Sequence, residues 1–422
     1  MTDNSNSTNL LRMTWRENPT GLGLQLVAIS LLALGVVIVH SAVAGVAEPG
    51  PWYARRDYRH TAFAIAAALV LLTAWRFNYR VLAGKEGKFP VFLAFCVLAA
   101  MCMGLLVHVP GIGYEVNHKF RWIRVGPPEY GIGFQPSEII EMSLIVFLAA
   151  WLSRRGQKIR SFTRTFLPML LLTLICVGLV IREDFGTAML VGIGAAAVMF
   201  LAGVPLYYLL SLIVPAAGAF YFFVVLDPYR WGRVVAMMDP WSTTNAASYQ
   251  AGQSLLTVMT GGYFGRGLGQ GMLKRGYLPE GSTDFIFSVF CEEWGLVGAM
   301  MLVSLLLLLM WHARKAAIKA DDPFGRMLAG SLGFMIALQA LLHIAVDLVA
   351  VPPKGLGCPF ISAGGTRLVT MSLATSLILS VTAHRWADRL PDLAARPAET
   401  DNESEAEPGS RRPGRKPVPL AG

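Results

Sequence analysis

Ten long apolar runs constrain the fold of this chain more than any other feature. They cover residues 22–46, 60–75, 89–107, 137–152, 166–181, 187–203, 206–226, 285–311, 328–348 and 368–383. Each is long enough, or nearly so, for an α-helix that crosses the ~30 Å hydrocarbon core of a bilayer. With 54% hydrophobic and 15% charged residues over 422 positions, the chain is too apolar for a soluble protein of its size. We therefore expect an all-α polytopic integral membrane protein with about ten transmembrane helices.

The membrane domain is expected to form one unit, residues 21–385, between two tails. Residues 1–20 are largely polar, and the first apolar run is not followed by the cleavage site of a secretory signal peptide. That run should therefore remain as the first helix. Residues 386–422 are rich in proline and charge, a composition typical of disordered segments.

Basic residues in the short loops predict the orientation of the helices. Residues 75–88, 153–164 and 312–326 contain four, five and four Lys or Arg side chains. The positive-inside rule places these loops and both termini in the cytoplasm, and two long loops, 108–136 and 227–284, outside. The same loops account for the net charge of +9, so we expect no nucleic-acid partner. Loops as long as the two outer ones are usually functional.

The first long loop leads into a helix start with two carboxylates. Pro136 suits a first helical turn, and Glu138 suits the positive end of a helix dipole. Glu141 lies three residues further, on the same helix face. Two like charges there require a cation, a divalent metal or a shared proton. For Glu141, a functional role and a structural ion pair with Arg121 or Arg124 are both open interpretations.

The second long loop combines glycine with positive charge. Six glycines fall between Gly261 and Gly271, and no strand precedes them, so they are not a dinucleotide-binding fingerprint. Such glycines let the backbone pass close to a ligand or dip into a protein-lined cavity. The loop also has five cations, Arg230, Arg233, Arg266, Lys274 and Arg275. These suit a pyrophosphate, although lipid headgroups would account for some of them.

Asp284 stands at the end of this loop, in the stretch LPEGSTDFIF, where the eighth apolar run begins. A charge that enters hydrocarbon costs about 2.5–3.5 kcal/mol at a helix centre, so Asp284 should either cap the helix or take part in chemistry. Glu292 and Glu293 lie deeper in the same run. His343 and Asp347, four residues apart, are expected to hydrogen-bond each other.

The last outer loop, VPPKGLGCPFISAGGTR, has the proline and glycine density of a re-entrant segment and carries Lys354 and Arg367. The five cysteines show no CxxC pairing, so neither zinc nor disulfides are indicated. No hydrolase, metallopeptidase or nucleotide motif is evident. Chemistry is therefore expected from carboxylates and cations at the outer boundary.

A set of motifs in this order resembles one known family. The motifs are FQPSE, DFGTA, DPW, YQAGQS, GRGLGQGMLKRGYLPEGSTDFIF, EEWG and PPKGLGCPFISAGG. Together they resemble the SEDS family (shape, elongation, division and sporulation) of integral membrane peptidoglycan glycosyltransferases. DPW and PPKGL are more similar to its division branch, FtsW, than to its elongation branch, RodA.

The resemblance implies a SEDS fold of ten transmembrane helices that polymerises lipid II at the outer face of the bacterial cytoplasmic membrane, at the division septum. It implies Asp284 as the catalytic base, with Glu138 as a second catalytic residue. Expected partners are lipid II, a class B penicillin-binding protein transpeptidase and other divisome membrane proteins, and a divalent cation, Mg or Mn, is an optional cofactor. The residues expected to bind substrate are Arg121, Trp122, Gln135, Glu141, Arg233, Gln253, Lys274, Glu280, Lys354 and Ser362.

The chain departs from the family pattern at one charged position. The family has QPSE-x-x-K, whereas this chain has Glu141 at the lysine position. The change removes an ion pair, and it would weaken activity, recruit a metal, or shift the cation role to Arg121, Lys274 or Lys354. If the pair is missing, Glu141→Lys should raise activity. A lipid II flippase and a low-activity divisome scaffold are the alternative functions.

Two smaller departures are Glu183, where the family has Pro, and Ala363, where it has Tyr.

Overall fold

The structure is a computed structural model that describes residues 18–44, 51–84, 90–109, 111–116, 119–124, 133–242, 245–274 and 276–395. Most of the predicted N-terminal tail, the predicted tail from residue 396 onward, and Arg275 lie outside the described residues. The last helix continues to Ala395, beyond the predicted domain boundary at residue 385.

All ten apolar runs form helical segments, which confirms the predicted fold class. The helices are α1 (Pro19–Val43), α2 (Arg56–Thr73), α3 (Arg80–Ala83), α4 (Val91–Leu106), α5 (Pro136–Leu152), α6 (Leu167–Ile181), α7 (Phe185–Leu201), α8 (Leu206–Leu210), α9 (Ile213–Phe220), α10 (Pro228–Met238), α11 (Ala246–Gly261), α12 (Ile286–Lys319), α13 (Pro323–Asp347) and α14 (Gly365–Ala395). Within the described residues, seven segments are long and apolar enough to cross a membrane, with α8 and α9 in one of them; α4 and α7 are shorter apolar helices. With α5, these make ten.

Helix α13 packs against four other helices, α5, α7, α12 and α14. The starts of α5, α7, α12 and α14 meet on one side of the bundle, together with the described parts of the two long loops. We call this side the loop face, and the opposite side, which carries residues 75–84, 153–164 and 312–326, the basic face.

The first long loop contains a small sheet that the sequence analysis did not predict. Strands β1 (Gly113–Val116), β2 (Lys119–Arg124) and β3 (Gly133–Phe134) pair antiparallel in that order, with an irregularity between Tyr114 and Glu115. These strands have only four, six and two residues. They are too short for the alternating pattern by which a strand is recognised. Because β3 ends one residue before Gln135, the sheet fixes where α5 begins.

The glycine-rich segment dips into the bundle and closes a break in α12. The backbone of α12 is not helical at Gly295, where φ is 66°. Four backbone hydrogen bonds bridge the break, from Arg266 N to Glu292 O (2.9 Å), Gly267 N to Glu293 O (3.0 Å), Leu296 N to Gly262 O (2.9 Å) and Val297 N to Tyr263 O (3.1 Å). A Cβ atom on Gly265 would lie 2.1 Å from Glu293 O, so only glycine allows this approach. Non-helical backbone inside the bundle is stable because its N–H and C=O groups form hydrogen bonds within the protein.

Candidate active site

Asp284 ends a tight turn on the loop face. The turn begins at Glu280, which has a positive φ of 55°, and Asp284 N donates to Glu280 O at 3.0 Å. Helix α12 has Phe285 as its N-cap, and within the described residues no side chain caps it. The interpretation of Asp284 as a helix cap is therefore wrong.

The surroundings of Asp284 favour a proton acceptor. Burial and, to a lesser extent, the nearby Glu280 carboxylate raise the pKa of Asp284 to about 6. Arg367, Arg233 and Arg121 are close enough to oppose this shift. A carboxylate whose pKa approaches the working pH is suited to general base catalysis.

Glu138, in the first turn of α5, is buried and paired with Arg367 from the start of α14. Arg367 Nε and Nη2 both lie 3.0 Å from Glu138 Oε1, and Nη1 donates to Gly357 O at 3.2 Å. Helix α5 starts at Pro136, as predicted. The predicted alternative for Glu141, an ion pair with Arg121 or Arg124, is wrong.

Those two arginines have other partners. Arg121 Nη1 lies 3.3 Å from Asp184 Oδ2, and the guanidinium of Arg124 lies 5.1 Å from the ring centre of Tyr114. The sequence pattern alone gives Asp184 no role. Asp184 is the N-cap of α7, where it accepts a hydrogen bond from Thr187 N at 3.0 Å.

Lys354 approaches the same helix start from the last loop. A Cβ atom on Gly186 would lie 2.9 Å from Lys354 Cδ, so the small residue leaves room for the lysine stem. Burial lowers the pKa of Lys354 to about 8, and Asp184 opposes this shift. At neutral pH the ammonium group is therefore still mostly charged.

Glu141 and Glu138 form their contacts with different side chains, Gln339 and Arg367. The Oε2 atom of Glu141 accepts a hydrogen bond from Gln339 Nε2 of α13 at 3.1 Å, and the side chain is buried. The ion pair at Glu138 is thus not missing from this chain. It is formed with Arg367, which in the sequence is only a charge in the last loop.

Lys274, predicted to bind substrate, lies in a buried polar cluster instead. Its Nζ donates to Glu293 Oε1 at 2.5 Å, to Ser41 O at 2.8 Å and to Ser41 Oγ at 2.9 Å. The residue is 4% exposed. Because an ammonium has three donors, all of them are used within the protein. Lys274 therefore cannot take over the cation role at Glu138.

The other predicted substrate contacts occupy varied positions. Two of them form side-chain contacts: Glu280 accepts from Arg56 Nη1 at 3.2 Å, and Arg233 on α10 donates to Tyr229 Oη at 2.8 Å. Two others bond with the backbone or a hydroxyl: Gln135 N donates to Thr366 Oγ1 at 3.2 Å, and Ser362 Oγ accepts from Cys358 N at 2.6 Å. Trp122 lies in β2 opposite Tyr114, and Gln253 lies on α11. Gln135 and Ser362 are buried, so they support the site from inside the protein.

His343 and Asp347 are near each other but do not form the predicted hydrogen bond. The distance between His343 Nε2 and Asp347 Oδ2 is 3.7 Å. His343 Nδ1 donates to Leu356 O at 2.6 Å, and Asp347 accepts from Ser288 N at 2.9 Å. The two side chains thus tie α13 to the last loop and to the start of α12, which holds the segment after Asp284 in place.

A metal held by protein ligands alone does not fit this arrangement. Within the described ranges, no three His, Cys, Asp or Glu side chains come together as a metal site. Glu138 and Asp184 each face an arginine rather than an open coordination position. We therefore derive no catalytic step through a metal ion.

Comparison with known proteins agrees with the fold. The family model of cell cycle proteins FtsW, RodA and SpoVE matches residues 23–386. A probable peptidoglycan glycosyltransferase FtsW of Geobacter sp. (strain M18) is 35% identical over 84% of this chain and 95% of its own length. A protein of the same name from Alkalilimnicola ehrlichii is 35% identical over 88% of this chain and 89% of its own.

Solved structures are similar over the same region. A chain from a peptidoglycan synthase complex, solved to show how polymerization and crosslinking are coordinated, has a TM-score of 0.69 and 27% identity, covering 86% of this chain and 98% of that one. RodA of Thermus thermophilus has a TM-score of 0.61 and 26% identity, covering 89% of this chain and 99% of RodA. The chain is thus a multi-pass protein of the bacterial inner membrane. It belongs to the FtsW/RodA/SpoVE family.

Proposed function

We propose that the protein is a peptidoglycan glycosyltransferase that polymerises lipid II, with Asp284 as the general base and Glu138 as a supporting catalytic carboxylate. The observation that carries the proposal is the setting of Asp284. It combines a carboxylate of raised pKa, near 6, with three surrounding arginines at the loop face. This setting offers both a proton acceptor and positive charge for a leaving pyrophosphate.

The reaction needs these two groups at one place. A hydroxyl oxygen of the acceptor sugar attacks the anomeric carbon of the donor, and the bond from that carbon to the pyrophosphate oxygen breaks. Asp284 accepts the hydroxyl proton as the new glycosidic bond forms. Arg121, Arg233 and Lys354 are suited to stabilise the negative charge that develops on undecaprenyl pyrophosphate.

An apolar groove beside the site supports a lipid-linked substrate. It has a volume of about 650 Å³ and runs between α2, α4, α5 and α14. Phe134 and Thr366 belong to its lining, and Thr366 is also the hydrogen-bond partner of Gln135. Since Arg367 follows Thr366 directly, a polyprenyl tail in the groove would have its pyrophosphate beside the charged cluster.

The proposed setting in the cell follows from charge and from the relatives. The basic loops favour a cytoplasmic basic face and cytoplasmic termini, with the loop face outside. The relatives named FtsW support a role at the division septum among other divisome proteins. The synthase complex supports a class B penicillin-binding protein as the transpeptidase partner.

The activity is tested with wild-type protein, purified with its transpeptidase partner and supplied with lipid II and Mg²⁺ or Mn²⁺. We expect glycan polymer on gels that resolve chain length. Transport of labelled lipid II into vesicles without polymer would instead indicate a flippase, and neither product would indicate a scaffold. The need for a divalent cation stays a prediction, which the same assay checks with EDTA.

The pH profile should reflect the ionisation of Asp284. Because the base acts in its deprotonated form and its pKa is about 6, we expect the polymerisation rate to rise about tenfold from pH 5 to pH 7. Glu280→Gln removes a negative charge that raises this pKa, so the midpoint of the rise should move to lower pH. Asp321→Asn, on the basic face, is the control and should leave the midpoint unchanged. An unchanged midpoint in Glu280→Gln would contradict the assignment.

A further inference from the structure

The position where the family carries a lysine lies one turn from Glu138 on the same face of α5. Side chains three residues apart on a helix are neighbours, so a lysine at position 141 would reach Glu138. In this chain the position holds Glu141, whose Oε2 accepts from Gln339 at 3.1 Å. Helix α5 therefore does not supply the cation for its own buried carboxylate.

Arg367 reaches the same carboxylate from α14, on the other side of the site. Two of its nitrogens lie 3.0 Å from Glu138 Oε1, and the third is held by Gly357 O at 3.2 Å. Both members of the pair are largely buried, with side-chain exposures of 12% for Arg367 and 6% for Glu138. A guanidinium fixed at all three nitrogens has one orientation, which suits a group that positions another.

The charge of Arg367 is also felt at Asp284. It is the largest of the three arginine contributions that oppose the rise in the pKa of Asp284. Gly355, two residues before Gly357, lies close to the same carboxylate, since a Cβ atom there would be 3.2 Å from Asp284 Oδ2. Arg367 thus contacts Glu138 and the last loop, and its charge acts on Asp284.

We propose that Arg367 is a positioning residue that supplies Glu138 with the cation the family pattern places at position 141, so that this chain has moved the cation from α5 to α14. The proposal rests on the proposed glycosyltransferase activity. It predicts that the two positions are interchangeable: a lysine at 141 replaces the arginine at 367. It also predicts that Glu141→Lys alone brings no gain in activity, because Glu138 already has its cation and Gln339 would lose its acceptor.

The test is a cycle of variants assayed for lipid II polymerisation and for thermal unfolding in detergent. Arg367→Gln should lower the polymerisation rate by about tenfold or more, and the acid limb of its pH profile should move to higher pH. The double variant Arg367→Gln with Glu141→Lys should recover to within about threefold of the wild-type rate. Arg367→Lys, the conservative change, should keep most of the rate.

A second double variant separates positioning from folding. Arg367→Gln leaves Glu138 buried without its cation, which destabilises a protein strongly. Arg367→Gln with Glu138→Gln removes both charges and should restore the unfolding temperature but not polymerisation. Wild-type polymerisation by this neutral pair would show a purely structural role and overturn the proposal. The double variant Arg367→Gln with Glu141→Lys would also overturn the proposal if it stayed inactive or did not fold. An inactive wild-type protein would instead contradict the proposed glycosyltransferase activity.

Discussion

Asp284→Asn should abolish lipid II polymerisation, lowering the rate by about 10²–10⁴-fold. Asparagine keeps the size and hydrogen-bonding shape of the side chain but cannot accept the hydroxyl proton. The protein should fold as well as before. Because burial raises the pKa of Asp284, its charged form is disfavoured in the folded state at pH 7, and a neutral amide removes that cost. The measurements are glycan polymer formation and the unfolding temperature of the same preparation.

Two controls define the result for Asp284. Asp321→Asn replaces an aspartate on the basic face, where Arg385 Nε lies 3.2 Å from its carboxylate, and should polymerise at the wild-type rate. Asp284→Glu keeps the carboxylate but displaces it, so it should retain a small part of the activity. Polymer of wild-type length and amount from Asp284→Asn would contradict the assignment of the base.

The helices could be predicted from the sequence because each apolar run carries its own signal. Length and composition are local properties, and the bilayer allows few backbone solutions for such runs. The loop-face elements carry weaker signals. These elements are the strands of two to six residues and the amphipathic helices α10 and α11. They are stabilised by the surfaces on which they pack and not by a strong local sequence pattern.

The ion pairs of the site could not be predicted in the same way. Glu138 and Arg367 are separated by 229 positions, and a single sequence does not show which charges meet. From the sequence, Arg121, Lys274 and Lys354 are therefore equally open as the cation near Glu138, and Arg367 is not among them. Asp284 could be proposed as a site residue because its cost is local: a charge at the start of an apolar run needs an explanation wherever its partners lie.

Lys274 shows the limit of arguments from charge alone. A lysine in a glycine-rich outer loop is consistent with a pyrophosphate ligand, and nothing nearby in sequence contradicts it. Its partner Glu293 follows 19 positions later, beyond the turn that contains Asp284. The partner becomes visible only because the glycine segment folds back onto the break at Gly295. Lys274 thus contacts the helix that follows the turn with Asp284 and holds the glycine segment against it.

Lys274→Met should therefore destabilise the protein strongly, by about 3–5 kcal/mol, because it leaves Glu293 charged and buried at 2% exposure. The fall should appear as a lower unfolding temperature in detergent. Lys274→Met with Glu293→Gln, which removes both charges, should recover most of the loss. Lys319→Met, an exposed lysine at the end of α12, is the matched control and should change stability by no more than about 0.5 kcal/mol.

The opposite outcome would restore the interpretation based on sequence. If Lys274→Met keeps the wild-type unfolding temperature but raises the KM for lipid II, its ammonium contacts the substrate, and the buried cluster does not persist in the working enzyme. If stability falls and the double variant regains both stability and polymerisation, the lysine acts only through the fold. In that case the cations available to bind the pyrophosphate are Arg121 and Arg233, which act on Asp284, and Lys354, which is close to Asp184.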